Sequence, residues 1–420
     1  MRTKVIFSLV DQGGLSAFNF ALNIFLVRYW DPSEYGLFAI FFSLSFIFTG
    51  IQNALVNTPY SVWVPAAQSS DKASMLRQTL ASTNFLLIAA VSLPLVLILL
   101  TGFLPVDPSH ALALSAFYAA TMVREYLRSC LAAEMMLPRV LLIDVIYVLS
   151  FCIMSGGYIA LYGVDAFTLY QLLWCLAAAQ FIGSSTRIVS EFKRLQRCHW
   201  ASWHQQYQPI WLQSRWALVG VSSTELQNRA YIFVIGAFFG TAAVGFIQAG
   251  RLLFGPLNIV VSAWTRVAKP TLAKLKGADE LQQFLKLTHA GAFGFVAFNL
   301  LFSAALWLAW PFISNQIYGD KYIGVEVVVA QWALVTLLFH GRSVYSAAVQ
   351  ACMRFKPLAF ATIVGGVGSL LALLFICLFS DSMWAVSSII VGETIAAIYV
   401  FNLLPKRPSP AANKEVADAV

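Results

Sequence analysis

The stretch from Thr121 to Arg139, TMVREYLRSCLAAEMMLPR, decides what kind of chain this is. Ahead of it lies the uncharged run LALSAFYAA (residues 112–120), and behind it lies LLIDVIYVLSFCIM (residues 141–154). A helix drawn through Leu112 to Met136 is long enough to cross the ~30 Å of hydrocarbon in a bilayer. It nevertheless carries Arg124, Glu125 and Arg128 near its middle. An Arg at the centre of a spanning helix costs ~2.5–3.5 kcal/mol on insertion scales unless it faces protein or water. This helix is therefore expected to face an aqueous cavity. Arg124 and Arg128, four residues apart, share one face, with Thr121 a turn earlier.

Working outward, the whole chain has the composition this stretch implies. It is 59% hydrophobic and 11% charged, against roughly 25% charged in an ordinary soluble domain. The fold class expected is all-α and polytopic in the membrane; no segment shows the short alternating pattern of an outer-membrane barrel. The start, Met1-Arg-Thr-Lys4, superficially resembles the charged end of a signal peptide. Asp11, Gln12 and Asn19 lie inside the apolar run that follows, and no small-residue cleavage site is visible, so the segment reads as a retained span. The 6 cysteines are scattered without a CxxC pair, and the histidines, among them His199 and His204, show no metal spacing. Neither a metal nor a cofactor is expected.

Splitting the apolar runs at charge and turn clusters gives twelve candidate spans, at about 5–28, 36–60, 79–103, 111–135, 140–162, 167–189, 210–238, 242–266, 286–313, 324–349, 357–380 and 383–404. With the N-terminus in the cytoplasm, Lys72, Arg77, Arg139, Lys193, Arg197, Lys269, Lys276, Arg354 and Lys406 all fall on the cytoplasmic side, whereas Arg28 and Lys321 fall opposite. That asymmetry is the positive-inside pattern. It places both termini in the cytoplasm and attributes the net charge of +8 to topology and anionic lipid headgroups, with no need for a nucleic-acid partner. The expected organisation is an N-terminal six-helix lobe (1–190), a basic cytoplasmic linker loop (191–209), a C-terminal six-helix lobe (210–404) and a cytoplasmic tail (405–420).

The halves also echo each other. Glu34-Tyr-Gly-Leu-Phe-Ala-Ile40 opens the second span and Ala243-Val-Gly-Phe-Ile-Gln-Ala249 the eighth; these spans end near Thr58-Pro59 and Lys269-Pro270. Ala132-Ala-Glu-Met-Met-Leu-Pro138 precedes the fifth span and Ala351-Cys-Met-Arg-Phe-Lys-Pro357 the eleventh. Six helices per repeat keep both halves in the same orientation, so the lobes should be related by a pseudo-two-fold axis along the membrane normal.

Arg124, Arg128, Arg215, Arg229, Arg251 and Arg342 fall within the expected spans, and no lysine does. Arginine's planar fork donates two parallel hydrogen bonds and keeps its charge when desolvated, the bias of a chamber for a phosphate. These arginines are the candidate substrate-binding residues, with Arg124, Arg251 and Arg342 preferred because no acid on the same helix obviously faces them. Acids lie in or near the spans as well: Asp11, Glu125, Glu134, Asp144, Glu225 and Glu393. Glu125 with Arg128 and Glu225 with Arg229 have helical pairing distances, so mutual neutralisation is the competing reading. Asp11, Glu225 and Glu393 are the candidate ion-coupling residues. Polar stripes on the first span (Gln12, Ser16, Asn19, Asn23) and the seventh (Arg215, Ser222, Glu225, Arg229) could line a shared chamber or glue helices together. Gly245, Gly250 and Gly255-Pro256 should interrupt the eighth span and Pro94 the third, while Gly365-Gly366 with Gly368 favours close packing over a hinge.

The Asp11-Gln12 pair with Ser16 and Asn19, the loop Asp31-Pro-Ser-Glu-Tyr-Gly-Leu-Phe38, the Arg124-Glu-Tyr-Leu-Arg128 helix and Val244-Gly-Phe-Ile-Gln-Ala-Gly-Arg251 carry a resemblance. Over residues 1 to 404 the chain resembles the polysaccharide-transporter (O-antigen flippase) branch of the multidrug/oligosaccharidyl-lipid/polysaccharide flippase superfamily. The resemblance implies two lobes around a cationic chamber. It also implies movement of a polyprenyl-diphosphate-linked oligosaccharide from the cytoplasmic to the periplasmic leaflet of a bacterial inner membrane by alternating access. A glycan polymerase and export machinery are the partners such a role would bring. A cation-coupled multidrug exporter of the same fold would need a chamber lined by acids and aromatics. A membrane enzyme of glycan assembly would need a sizeable external loop, and every expected external loop is short. A structural protein would use its arginines only in pairs. The flippase, which is not an enzyme, is the favoured reading.

Overall fold

The structure is a computed structural model that describes residues 2–100, 108–196 and 200–404. The tail 405–420 lies outside the described residues, as does Arg197 of the expected linker loop. Among the described residues every element is helical. The order is α1 (Arg2–Tyr29), α2 (Pro32–Gln52), α3 (Thr58–Trp63), α4 (Ser70–Leu100), α5 (Pro108–Ala133), α6 (Leu137–Tyr162), α7 (Leu169–Gln196), α8 (Trp200–Leu252), α9 (Gly255–Gly277), α10 (Leu281–Leu308), α11 (Trp310–Ile313), α12 (Val325–Ala351), α13 (Phe355–Phe379) and α14 (Ser387–Asn402). A π-helical turn, Asn53–Asn57, joins α2 to α3.

Among the described residues, 9 helices are long and apolar enough to cross a membrane, which makes this a multi-pass membrane protein. Helices α1, α5 and α9 fall outside that group although they are 28, 26 and 23 residues long. Each is interrupted by polar residues: Asp11 and Asn19 in α1, Arg124 and Arg128 in α5, Asn258 and Lys269 in α9. A helix that is polar on one side belongs inside a bundle, where protein replaces lipid around that side.

Helix ends follow local chemistry. α5 and α12 both stop at a methionine in the left-handed region, Met135 (φ 60) and Met353 (φ 59). The turns are closed by matching bonds: Met136 N–H to Leu131 C=O (2.8 Å) in the first, Arg354 N–H to Val349 C=O (3.3 Å) in the second. The same backbone cap thus closes both of the sequence segments that echo each other. Helix α8 breaks at Gly240 (φ 82, ψ 175), an extended positive-φ conformation that is essentially reserved for glycine and costs other residues about 1–3 kcal/mol. The expected interruption near Gly255-Pro256 is present, with α9 starting there. Pro94 does not interrupt its span; α4 runs through it. Gly365 and Gly392 bring α13 and α14 into backbone contact, a packing seam as expected, since a Cβ on Gly392 would lie 2.6 Å from Gly365 O.

The described chain divides into two compact units: Met1–Trp30 with Leu37–Phe233, and Asp31–Gly36 with Val234–Val420. This differs from an organisation with a loop at 191–209 and a second lobe starting at 210. The basic segment is largely helical, at the end of α7 and the start of α8. It docks on the first unit because its aromatic residues find partners there: Trp203 Nε1–H donates to Thr83 Oγ1 (3.1 Å) and Tyr207 O–H to Leu55 C=O (2.9 Å). Residues 31–36 join the second unit through a glycine crossing. A Cβ on Gly36 would lie 1.8 Å from Thr241 O, and one on Gly245 would lie 1.9 Å from Pro32 O. Gly36 and Gly245 hold the same place in the two echoing segments, and their contact is reciprocal, as a two-fold relation between those segments requires.

Candidate functional site

Charged and polar side chains gather at separate places in each unit. In the first unit, α5 brings Arg124 and Arg128 to one face, because four residues are close to one helical turn. Helix α6 places Asp144 against both of them, and α1 contributes Asp11. Arg128 lies at the centre: Nη2–H donates to Asp11 Oδ2 (2.9 Å), Nε–H to Asp144 Oδ2 (2.9 Å) and Nη1–H to Glu125 Oε1 (3.0 Å). Arg124 donates to Asp144 Oδ1, lies 3.5 Å from Glu125, and sits over the Tyr147 ring at 4.3 Å. Arg124, Asp11 and Asp144 are all buried. Two guanidinium groups thus face three carboxylates, one negative charge in excess. Asp11 Oδ1 and Arg124 Nε have no hydrogen-bond partner.

Elsewhere in this unit Arg229 pairs with Glu225 (2.9 Å) and lies over the Phe46 ring at 3.9 Å. Arg215 is exposed. A cavity of about 500 Å³ is lined by Tyr60, Arg77, Glu134 and Arg187. There Glu134 accepts from Arg187 (2.7 Å) and from Tyr60 O–H (3.0 Å).

In the second unit, Arg342 of α12 is held by Glu393 of α14 through a two-pronged contact, Nε–H to Oε2 at 2.7 Å and Nη2–H to Oε1 at 3.1 Å. Arg251 lies over the Trp332 ring at 5.3 Å. A cavity of about 630 Å³ lies between α9 and α12. Asn258, Thr265 and Lys269 line it from α9. Arg342, Ser343, Ser346 and Gln350 line it from α12, with Phe339 at one side. No carboxylate is among its described lining residues. His340, fully buried behind the cavity, contacts Asn258 Oδ1 through Nε2 (3.2 Å) and Asn299 through Nδ1 (3.0 Å).

The sequence prefers Arg124 and Arg342 because no acid on the same helix obviously faces them; the structure supplies acids from neighbouring helices. Their partners come from other helices, 20 and 51 residues away in sequence, a range that helical spacing cannot see. Of the residues singled out in the sequence, Asp11, Arg124 and Arg128 are brought together, Glu225 joins Arg229, and Glu393 joins Arg342. Two contributors were missed. Asp144 was noted only as a buried acid, and Lys269 was placed beyond the end of its span. The signal for Lys269 was the stripe Asn258, Thr265, Lys269 on one helical face, which continues past the expected boundary at 266.

Many apolar helices with buried charge clusters inside them define a polytopic membrane architecture. Solved structures of known proteins share it. The chain is similar to the inward-facing conformation of a multidrug resistance MATE family transporter of the MOP superfamily (TM-score 0.69, 13% identity, covering 92% of each chain). It is also similar to lipid II flippase MurJ in an inward closed conformation (TM-score 0.68, 11% identity, covering 95% of this chain and 87% of that one). A third likeness is to an outward-facing MATE family transporter (TM-score 0.59, 14% identity, covering 94% of this chain and 92% of that one). The chain therefore shares the fold of these MATE family transporters and of lipid II flippase MurJ. No protein-family model and no curated protein sequence matches the chain.

Proposed function

We propose that the protein is a flippase for a polyprenyl-diphosphate-linked oligosaccharide, carrying a polysaccharide or O-antigen precursor from the cytoplasmic to the periplasmic leaflet by alternating access. The observation that carries this reading is the cavity between α9 and α12. It offers two cations, Lys269 and Arg342, with hydroxyl and amide groups around them and no carboxylate among its described lining residues. Such a lining suits an anionic, hydroxyl-rich head and opposes an organic cation, which needs acids and aromatic faces. A diphosphate and sugars cannot cross hydrocarbon without replacement of their hydration, and a polar cavity supplies that replacement. The substrate of one structural relative, the lipid II flippase, fits the same chemistry.

Direct phosphate binding by Arg124, Arg128, Arg229 and Arg342 has less support than the sequence suggested, since each already holds a carboxylate. The cluster of Asp11, Arg124, Arg128, Glu125 and Asp144 has one carboxylate in excess, which suits Asp11 to the coupling role: it can take up a proton or cation that neutralises the group. Glu225 and Glu393 are weaker coupling candidates, each being matched by one arginine. The membrane is proposed to be a bacterial inner membrane with both termini cytoplasmic. Anionic lipids would meet the basic face, and a glycan polymerase and export machinery would act downstream.

The test is a leaflet assay. Purified protein in liposomes should move a fluorescent polyprenyl-diphosphate glycan to the leaflet reached by a quencher. Lys269→Gln should slow that movement at least tenfold. Equal rates with and without protein, combined with efflux of a lipophilic dye cation, would overturn the reading in favour of an exporter.

A further inference from the structure

The cavity between α9 and α12 contains three features that the paired arginines do not account for. Lys269, half-buried on α9, has no carboxylate or hydrogen-bond partner among the described residues. Ser346, 9% exposed on α12, lines the cavity and carries an Oγ without a partner. Asn258 is held from behind. Asn299 Nδ2 donates to Phe295 C=O (2.8 Å), and the Asn299 amide meets His340 Nδ1 through both Nδ2 (3.0 Å) and Oδ1 (3.1 Å). In the tautomer with the proton on Nε2, His340 donates to Asn258 Oδ1 (3.2 Å), which leaves the Asn258 NH₂ for the cavity that this residue lines. Asn258 and Lys269 are eleven residues apart on one helix, about 16 Å at 1.5 Å per residue. Arg342 is partly committed: Glu393 takes its Nε–H and one Nη2–H and matches its charge, while Nη1 keeps its donors.

We propose that this cavity is the headgroup site. The Lys269 ammonium takes the phosphate of a lipid-linked glycan, Ser346 Oγ–H donates to that phosphate or to the first sugar, and the Asn258 amide reads a sugar hydroxyl farther along the groove. Arg342 is a positioning residue, clamped by Glu393 beside the site. The volume, about 630 Å³, is within the range of pockets that enclose a small-molecule head. Lys269 is the only described lining cation without a carboxylate. A compact ammonium with three donors and an unmatched charge attracts a phosphate more strongly than a guanidinium whose charge a carboxylate already matches. This assignment rests on the flippase reading and names its binding residues.

The experiment reads occupancy separately from transport. In detergent-solubilised full-length protein with the native cysteines replaced, Ser346→Cys and, as a second probe nearer Lys269, Gln350→Cys are modified with a small water-soluble thiosulfonate. The rates are compared without addition and with inorganic pyrophosphate, dispersed polyprenyl-diphosphate sugar, or phosphatidylglycerol. Polyprenyl-diphosphate sugar should slow both probes at least tenfold and pyrophosphate the Gln350→Cys probe at least threefold. Phosphatidylglycerol should leave both unchanged. Lys269→Gln should abolish the protection and Lys269→Arg should retain most of it. Absence of protection at both probes, or protection that survives Lys269→Gln, overturns the site. Equal protection by phosphatidylglycerol assigns the cavity to membrane lipid and overturns it too. Leaflet movement that persists while protection is absent rejects the cavity alone; protection that persists without movement supports the site and rejects the transport reading.

Discussion

Replacing Arg128 with Gln removes the group that holds Asp11, Glu125 and Asp144 together. The contacts lie at 2.9–3.0 Å, and a unit-charge pair about 4 Å apart at an effective dielectric near 20 is worth about 4 kcal/mol. Relief of the guanidinium's desolvation offsets much of that sum. The net expectation is the ~3–5 kcal/mol seen when one partner of a buried ion pair is removed and the others are left uncompensated. Asp11→Asn works in the opposite direction on the charge balance. It removes the surplus negative charge and leaves Arg128 with Glu125 and Asp144, so its cost should be nearer ~1 kcal/mol. Combined, the two changes leave Arg124 facing Glu125 and Asp144, a cluster with less excess charge than Arg128→Gln alone. The double variant should therefore be more stable than additivity gives, by roughly 2 kcal/mol within the ~0.5–3 range for residues in one network. The assay is equilibrium unfolding of the wild type, both single variants and the double variant in mixed micelles of mild detergent and dodecyl sulfate. A coupling energy below about 0.5 kcal/mol, the level expected of independent sites, would refute the reading of these residues as one electrostatic unit.

Glu393→Gln should cost about 1.5 kcal/mol, the low end for a charged hydrogen bond, because both side chains keep some exposure (12% and 16%). It should also tighten pyrophosphate binding by titration calorimetry, since Arg342 is released beside the cavity; weaker binding would contradict the clamp. Gly36→Ala should lower the melting temperature, through ~1–3 kcal/mol of overpacking or more. Gly294→Ala, with nothing within 4 Å of its new methyl, should raise the melting temperature slightly; a neutral Gly36→Ala would argue against the backbone crossing. His340→Leu removes the side chain that meets Asn258 Oδ1 and one side of the buried Asn299 amide, at a cost of ~1–3 kcal/mol, and should raise the KM for leaflet movement more than it lowers kcat. Single cysteines at Ser33 and Lys321 should react with an impermeant reagent from the periplasmic face and one at Asp279 should not; the reverse pattern would invert the proposed topology.

How much of this was legible in the sequence differs from residue to residue. The Arg128–Glu125 and Arg229–Glu225 pairs could be read directly, since three- and four-residue spacings put them on one helical face. The helix-stopping turns at Met135 and Met353 were legible as an echo between Ala132–Pro138 and Ala351–Pro357, though the left-handed methionines themselves were not. Lys269 was hidden by hydropathy: a lysine after Arg266 looks like the basic flank of a span, yet α9 continues to Gly277. The 191–209 segment was misread as a loop for a related reason. Its Trp and His content resembles an interfacial linker, and only the partners at Thr83 and Leu55 show why it folds as helix and docks.

The sequence by itself determined that the chain is an all-helical membrane protein, because long apolar runs with so few charges have no other stable environment. It also determined that two related segments open the second and eighth spans, because glycine spacing survives as local pattern. Tertiary structure alone decided which charges are neutralised and which cation stays open. Arg128 meets Asp11 across 117 residues of chain, and Arg342 meets Glu393 across 51. Electrostatic energy depends on distance through space, and no periodicity along one helix records which neighbouring helix will supply the opposite charge.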